Sequence, residues 1–262
     1  MSVIEQRSRV DTDPRFSRRR HAVARLRRRK LLVHAAFVLG VAALVWIVFF
    51  SPLLTVSDVE VVGGGHVTAA DITTIARLDE RRNLLLMSTT EVAQAVRGLA
   101  WVKRAEVDRK LPGTLRVNIV ERVPALALQA SEARWTIDRR GHVLAPGAPK
   151  RLATVAAVSD EEIVVGERVT SAEVQGALAV FRIIPDRLRR NVEAIFAPGS
   201  ERISLSLESG LLIRLGAAEK LRAKSSVLTA LLGRIRSEGV GVGYVDVRVP
   251  TSPAVGPAAS RP

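Results

Sequence analysis

The side chains that could carry chemistry are few in this sequence and lie far apart. The four histidines are His21, His34, His66 and His142, and none has the spacing of a zinc site, such as two histidines four positions apart with an adjacent glutamate. The chain has no cysteine, which excludes a thiol nucleophile, a disulfide framework and cysteine-ligated metal centres. The sequence therefore predicts no metal site and no cofactor.

Three further groups of residues have simple structural interpretations. Asp160-Glu161-Glu162 is a run of carboxylates, but a glycosidase needs two carboxylates facing each other across a cleft, so a solvated loop is favoured. Ser225 and Ser226 follow Lys224 without any hydrolase or penicillin-binding signature and are expected on a helix surface. Gly63-Gly64-Gly65 lacks the spacing of a dinucleotide-binding loop and predicts a turn with positive φ. We therefore expect no catalytic residues and no enzymatic activity.

Positive charge is concentrated at the amino-terminal end. The chain of 262 residues has a formal net charge of +14, and residues 1–30 contain eleven Arg or Lys and three Asp or Glu. This segment has too few apolar residues to fold alone, so we expect a disordered basic tail. Such a tail could be an arm that binds nucleic acid or the cytoplasmic flank of a membrane helix.

The following segment favours the membrane interpretation. Leu31 to Phe50 is a run of twenty residues without a formal charge, and a helix of this length spans about 30 Å, the thickness of the bilayer core. A buried core helix does not explain the adjacent charge. A cleaved signal peptide would end at small residues rather than at Phe49-Phe50. We predict a transmembrane helix over residues 31–51, with the tail in the cytoplasm, the lipid bilayer as a partner and no nucleic acid.

Residues 54–122 predict a small domain with the order β-α-α-β-β. Val56 to Val62 alternates as a strand, and Thr68-x-x-Asp71 and Ser88-x-x-Glu91 are capping-box patterns that open two helices. Strands are predicted over Trp101 to Arg109 and Thr114 to Glu121. Two helices can cover one face of a three-stranded sheet, which leaves one or both sheet edges free for partners.

Residues 123–250 predict a second, strand-rich domain with two helices, so the fold class is α+β. The helices are expected over Thr170 to Ile184 and Ala218 to Ile235, and a hairpin turns at Glu208-Ser209-Gly210. Alternation predicts a last strand over Tyr244 to Val249. Residues 251–262 are rich in Pro, Ala and Ser and predict a disordered tail.

The run WVKRAEVDRKLPGTLRVNIVERVPA, from Trp101 to Ala125, resembles the FtsQ/DivIB family of cell-division proteins. Asp138-Arg139-Arg140-Gly141 also resembles the D-x-x-G turn of that family. The resemblance implies a POTRA domain at 54–122 and an FtsQ-type β domain at 123–250. The family motif, to which we assign structural rather than catalytic roles, comprises Trp101, Val102, Ala105, Val107, Arg109, Pro112, Leu115, Glu121, Arg122 and Pro124.

The resemblance also implies a function. Proteins of this family are non-enzymatic scaffolds of the divisome in the plasma (inner) membrane at the septum, where they bind FtsB and FtsL and, through them, the septal wall synthases FtsW and FtsI. The family's last strand takes a partner strand, which implies a binding site at Tyr244, Val245, Asp246, Val247, Arg248, Val249, Thr251 and Ser252. Pro250 and Pro253 limit this edge because proline lacks the backbone donor.

Three alternatives remain open at this stage. Tyr244 to Val249 could be an ordinary internal strand of the sheet. The chain could also be a POTRA-containing secretion or assembly factor, although the residues after the small domain are too few for an outer-membrane barrel. A membrane-anchored wall enzyme would need an acid–base or metal site that the sequence does not reveal.

Overall fold

A computed structural model describes residues 14–50, 54–78, 82–130, 132–157 and 161–257. The chain divides into two compact units. The first comprises the described residues of Met1–Asp58, Arg81–Met87 and Arg109–Thr114, and the second comprises those of Val59–Glu80, Ser88–Asp108 and Leu115–Pro262.

The first unit is dominated by a long helix, α1, which runs over Pro14–Phe50. Its segment Arg29–Ile47 is apolar and long enough to cross a membrane, with a mean hydropathy of 2.1, and none of it is buried within the protein. The prediction of a disordered tail is wrong for residues 14–30, which are helical. Arg, Ala and Leu are good helix formers, and extending an existing helix avoids the cost of nucleation. Residues 1–13 lie outside the described part of the chain.

Short segments of the first unit are joined by hydrogen bonds to the backbone. The Asn83 side-chain amide donates to the Phe49 carbonyl at the end of α1. The Arg109 guanidinium donates to the carbonyls of Leu84, over 2.8 Å, and Met87, over 2.5 Å. Arg109 therefore holds the 82–87 segment by satisfying carbonyls that no helix or strand would pair.

The β-α-α-β-β order of the small domain is confirmed. Its elements are β1 (Asp58–Val62), α2 (Ala69–Ile75), α3 (Thr89–Arg97), β2 (Val102–Lys110) and β3 (Thr114–Glu121), with the sheet order β1-β3-β2. Thr68 and Asp71 form the full capping box at α2. At α3, Ser88 Oγ accepts from the Glu91 N–H, which is one half of the expected box. Gly63 has φ +87°, and a Cβ there would lie 2.4 Å from the Ile119 carbonyl oxygen, so this turn requires glycine.

The second domain is built on one nine-stranded sheet. Its strands are β4 (Pro124–Ala130), β5 (Ala133–Asp138), β6 (Val143–Pro146), β7 (Thr154–Ala157), β8 (Val192–Ala197), β9 (Ile203–Leu207), β10 (Leu212–Gly216), β11 (Tyr244–Asp246) and β12 (Ala254–Gly256). They lie in the order β12-β11-β10-β9-β8-β7-β4-β5-β6. The helices are α4 (Ala172–Ile183), the single-turn α5 (Asp186–Arg189) and α6 (Leu221–Glu238).

One apolar core holds this domain together. Helix α4 packs on β7 and β8, and α6 packs on α4. The residues buried in the core include Leu178, Ile195, Leu205, Ile213, Leu228 and Val245. The hairpin predicted at Glu208–Gly210 joins β9 to β10. The α+β class is thus confirmed, with six helices among the described residues.

Candidate partner-binding surface

The last strand is shorter than its sequence pattern predicts, and it is not at the edge of the sheet. β11 covers only Tyr244–Asp246 and pairs in parallel with β10 on one side and antiparallel with β12 on the other. The prediction that Tyr244 to Val249 forms one strand is therefore wrong beyond Asp246. The alternative of an internal strand holds for Tyr244, Val245 and Asp246. The strand at this end of the sheet is β12.

Tyr244 joins three neighbouring strands on one face of the sheet. The Arg214 guanidinium, on β10, lies 4.7 Å from the centroid of the Tyr244 ring. On the other side, a Cβ at Gly256 of β12 would lie 2.4 Å from Cε1 of the same ring. Glycine at 256 therefore allows the tyrosine ring to lie against β12, while the cation–π contact holds the ring over β10.

Asp246 and Arg248 form a compact turn that ends β11. Asp246 Oδ1 accepts from the Arg248 backbone N–H over 3.0 Å, and Arg248 Nη2 lies 2.7 Å from Asp246 Oδ2. Burial raises the pKa of Asp246, but the hydrogen bonds from Arg248 and the charges of Arg248 and Arg214 outweigh it and leave the pKa below its usual value. The carboxylate therefore stays charged and holds the turn between Asp246 and Arg248.

The remaining residues of the predicted site differ in exposure. Val247 is fully buried, and its N–H donates to the Arg214 carbonyl over 2.9 Å, so it belongs to the core. Val249 is 57% exposed, and Thr251 and Ser252 are also exposed. The Ser252 N–H donates to the Val249 carbonyl over 3.1 Å, closing the turn that leads into β12.

Sequence reasoning missed β12, because residues 251–262 read as a disordered tail. Ala254, Val255 and Gly256 pair with Asp246, Val245 and Tyr244, respectively. A strand of three residues between two prolines is too short to show an alternation of apolar and polar residues. The available clue was Gly256, a residue without a side chain at the position where an aromatic ring approaches. Residues 258–262 lie outside the described part of the chain.

Most residues of the 101–124 motif belong to the interior of the small domain or to its turns. Val102, Ala105 and Leu115 are buried, and Val107 is half-buried. Trp101 precedes β2, and its ring stacks on the His66 imidazole with centroids 3.8 Å apart. Pro112 lies between β2 and β3, and Pro124 opens β4. These motif residues therefore lie in the core, in a turn or at the end of a strand.

Glu121, the last residue of β3, anchors the loop that follows β1. Its Oε1 accepts from the backbone N–H groups of Gly65, His66 and Val67 over 2.9, 2.7 and 3.1 Å. His66 Nδ1 lies 2.9 Å from Glu121 Oε2. Burial raises the pKa of Glu121, but the His66 ring and the three N–H groups outweigh it and lower the pKa from 4.5 to about 2.

Arg122 follows Glu121 and reaches the turn after β5. Its Nη1 lies 3.2 Å from Asp138 Oδ2, and its backbone N–H donates to the Trp101 carbonyl over 2.7 Å. Asp138 Oδ1 also accepts from the N–H groups of Arg140 and His142. Burial and the nearby charge of Arg122 lower the pKa of His142, which favours its neutral form. The ion pair between Arg122 and Asp138 joins the small domain to the D-x-x-G turn of the second domain.

The described acidic residues do not form a metal-binding cluster. Across the described ranges, no group of three or more His, Asp or Glu side chains is placed to hold a metal ion. Glu161, from the acidic run at 160–162, accepts from the N–H groups of Thr170 and Ser171 ahead of α4. Its geometry is that of a helix-terminus acceptor.

These features define a class of protein: an α+β chain in which a membrane-length helix precedes a POTRA-type domain and a strand-rich domain. Residues 54–122 match the POTRA domain, FtsQ-type, and residues 125–248 match the family described as Cell division protein FtsQ/DivIB, C-terminal. The chain belongs to the FtsQ/DivIB family of cell-division proteins, which is not a known enzyme family.

Individual relatives agree with this assignment. The chain is 32% identical to the cell division protein FtsQ of Mycobacteroides abscessus over 71% of its own length and 58% of the relative. It is 30% identical to FtsQ of Mycolicibacterium smegmatis over 86% of its length and 65% of the relative. With FtsQ of Caulobacter vibrioides it shares 31% identity over 80% of its length and 66% of the relative. The matched region thus spans about three fifths of the two mycobacterial relatives.

Proposed function

We propose that this protein is a single-pass, non-enzymatic scaffold of the divisome. Its α1 helix anchors it in the plasma (inner) membrane, with the basic end in the cytoplasm and the two folded domains outside. The net charge of +8 in residues 1–30 supports this orientation, because positive charge flanking a first membrane helix is retained on the cytoplasmic side. The protein acts at the division septum by holding partners together rather than by chemistry.

The observation that carries the proposal is the position of β12 at one end of the nine-stranded sheet. An edge strand presents unpaired backbone groups, and a partner strand can add to it by β-augmentation. The partner strand is that of FtsB, and FtsL joins the same complex. FtsW and FtsI are then linked indirectly, because tethering in one membrane raises their effective concentration.

The family resemblance implied a contact at Tyr244 to Val249, Thr251 and Ser252. Because β11 pairs on both sides, we propose instead that the partner strand adds to the outer side of β12. The strand is short, and Pro253 and Pro257 at its ends have no backbone donor, so backbone pairing is limited to Ala254–Gly256. Side chains must therefore contribute to affinity. Val255 is 47% exposed and Val249 is 57% exposed, and both offer apolar surface to a partner.

Val255→Glu tests this site. A charge placed on an apolar contact must be desolvated on binding, so we expect the affinity for the purified FtsB–FtsL complex to fall by at least about tenfold. The measurement is a titration of the full chain, reconstituted in nanodiscs, against that complex. Val165→Glu is the matched control, because Val165 lies in a loop and is 44% exposed. Equal affinities for the two variants, with both folded, would contradict the proposed site.

A further inference from the structure

A concave surface lies near the end of the large sheet that is opposite to β12. It is a cleft of about 420 Å³ between the end of β3 and the turn after β5. Its lining residues are Lys103, Glu121, Arg122, Val123, Asp138, Arg139 and Arg140. β5 is seven strand steps from β12, and at about 4.8 Å per step these two strands are roughly 34 Å apart along the sheet. The cleft is therefore separate from the proposed FtsB contact.

We call this surface the junction cleft. Both of its carboxylates, those of Glu121 and Asp138, already have hydrogen-bond partners. Glu121 accepts from three backbone N–H groups and faces His66, as described above. Asp138 accepts from two backbone N–H groups and pairs with Arg122. Among the described residues, neither acid forms an ion pair with Lys103, Arg139 or Arg140.

Those other cations have no protein partner among the described residues. The side chains of Lys103, Arg139 and Arg140 are exposed and make no hydrogen bond or ion pair within the described part of the chain. Two more arginines add positive charge to the same turn. Arg182 donates to the Arg139 carbonyl over 3.2 Å, and Arg168 donates to the Arg140 carbonyl over 2.9 Å. The lining has four cationic side chains and two carboxylates, so the cleft carries a net positive charge.

We propose that the junction cleft binds an acidic peptide segment of a partner protein. Guanidinium groups bind carboxylates through paired, charge-assisted hydrogen bonds, and Arg139 and Arg140 are free to make them. Val123 is 76% exposed and provides an apolar contact beside the cations, which suits a peptide with mixed acidic and apolar residues. The proposal is independent of the β12 contact.

The test is binding of a defined acidic probe to the full chain in phosphatidylcholine nanodiscs. The probe is a fluorescein-labelled peptide of alternating glutamate and alanine, and its fluorescence anisotropy is followed at low ionic strength, where screening is weak. We expect binding of this peptide and none of the matched glutamine–alanine peptide. The double variant R139E/R140E should weaken binding by at least about tenfold, because it reverses the charge at two contacts.

R187E/R190E is the matched control, since it makes the same change in net charge at two exposed arginines of α5 and its carboxyl end. It should leave probe binding unchanged, and circular dichroism should show that both double variants are folded. Equal weakening by the two variants would overturn the proposal, because binding would then follow net charge alone. Direct binding of phosphatidylglycerol vesicles that is lost in R139E/R140E, with no binding of the peptide, would also overturn it in favour of a lipid ligand.

Discussion

Two charged residues of the family motif, Glu121 and Arg109, each bind several backbone groups. Glu121 holds three consecutive backbone N–H groups of the Gly65–Val67 loop, and Arg109 holds two carbonyls of the 82–87 segment. In each case one charged side chain satisfies backbone groups that lie outside regular secondary structure. Hydrogen bonds to charged groups are worth about 1.5–3 kcal/mol, so these residues stabilise loops that lack a core of their own.

Glu121→Gln should destabilise the protein at neutral pH by about 1–3 kcal/mol. The folded pKa of Glu121, about 2, lies below its ordinary value of 4.5. The stabilising contribution of the carboxylate is therefore complete above pH 4.5 and is lost as the pH falls towards 2. Urea unfolding of the full chain in detergent, followed by tryptophan fluorescence at pH 7 and near pH 3, measures this difference.

Glu106→Gln provides the control, because Glu106 is an exposed carboxylate on β2. It should change the free energy of unfolding by less than about 0.5 kcal/mol at either pH. A stability difference between wild type and Glu121→Gln that stays the same from neutral to acid pH would show that the anchor does not depend on charge.

At the scale of elements, the packing of Tyr244 on Gly256 decides whether β12 stays on the sheet. Gly256→Ala places a Cβ within 2.7 Å of three atoms of the Tyr244 side chain, two ring carbons and the hydroxyl oxygen, so either the side chain or the strand must move. We expect faster hydrogen exchange at the amides of Val255 and its neighbours, measured by mass spectrometry on the full chain. The double variant Y244A/G256A should recover part of the protection because it removes the clash.

Gly241→Ala serves as the comparison, since a Cβ there meets no atom within 4 Å and no positive φ is required. Its exchange in the same segment should match that of the wild type. If Gly256→Ala and Gly241→Ala exchange alike across 254–256, the tyrosine contact does not hold β12.

The sequence was sufficient to predict those helices and strands that have a local signal of their own. Thr68 and Asp71 predict the start of α2, and the alternation of Leu115, Val117 and Ile119 predicts the buried face of β3. The edge of the second domain lacks such a signal, because β12 exists only through pairing with β11. The helix over residues 14–30 was missed for a similar reason. The composition of this segment does not show that it extends the helix of the apolar segment that follows it.

The junction cleft also depends on tertiary structure. Arg122 and Arg139 are separated in sequence, and the motif around each gives no indication that they line one cleft. The D-x-x-G turn was recognised, but the distribution of charge around it depends on which carboxylates already have partners. Only the geometry shows that the carboxylates of Glu121 and Asp138 have partners, whereas the side chains of Arg139 and Arg140 have none within the described part of the chain.

At the scale of the whole molecule, the protein combines a membrane-length helix with the two binding surfaces proposed above. A membrane-length helix precedes the folded domains, and the large sheet presents a strand edge at one end and a basic cleft at the other. Such an arrangement suits a scaffold, because partners held at different ends of one rigid sheet do not compete for the same surface. The chain belongs to the FtsQ/DivIB family of cell-division proteins, and the proposed scaffold role agrees with that assignment.

The most direct test of this account is the position of an amino-terminal fluorescent fusion of the full chain in dividing cells, combined with depletion of the native protein. The account predicts a narrow fluorescent band at the division site and filamentous cells on depletion, with division restored by the fusion. An even signal around the envelope, together with normal division after depletion, would contradict the claim that the protein is a scaffold of the division machinery.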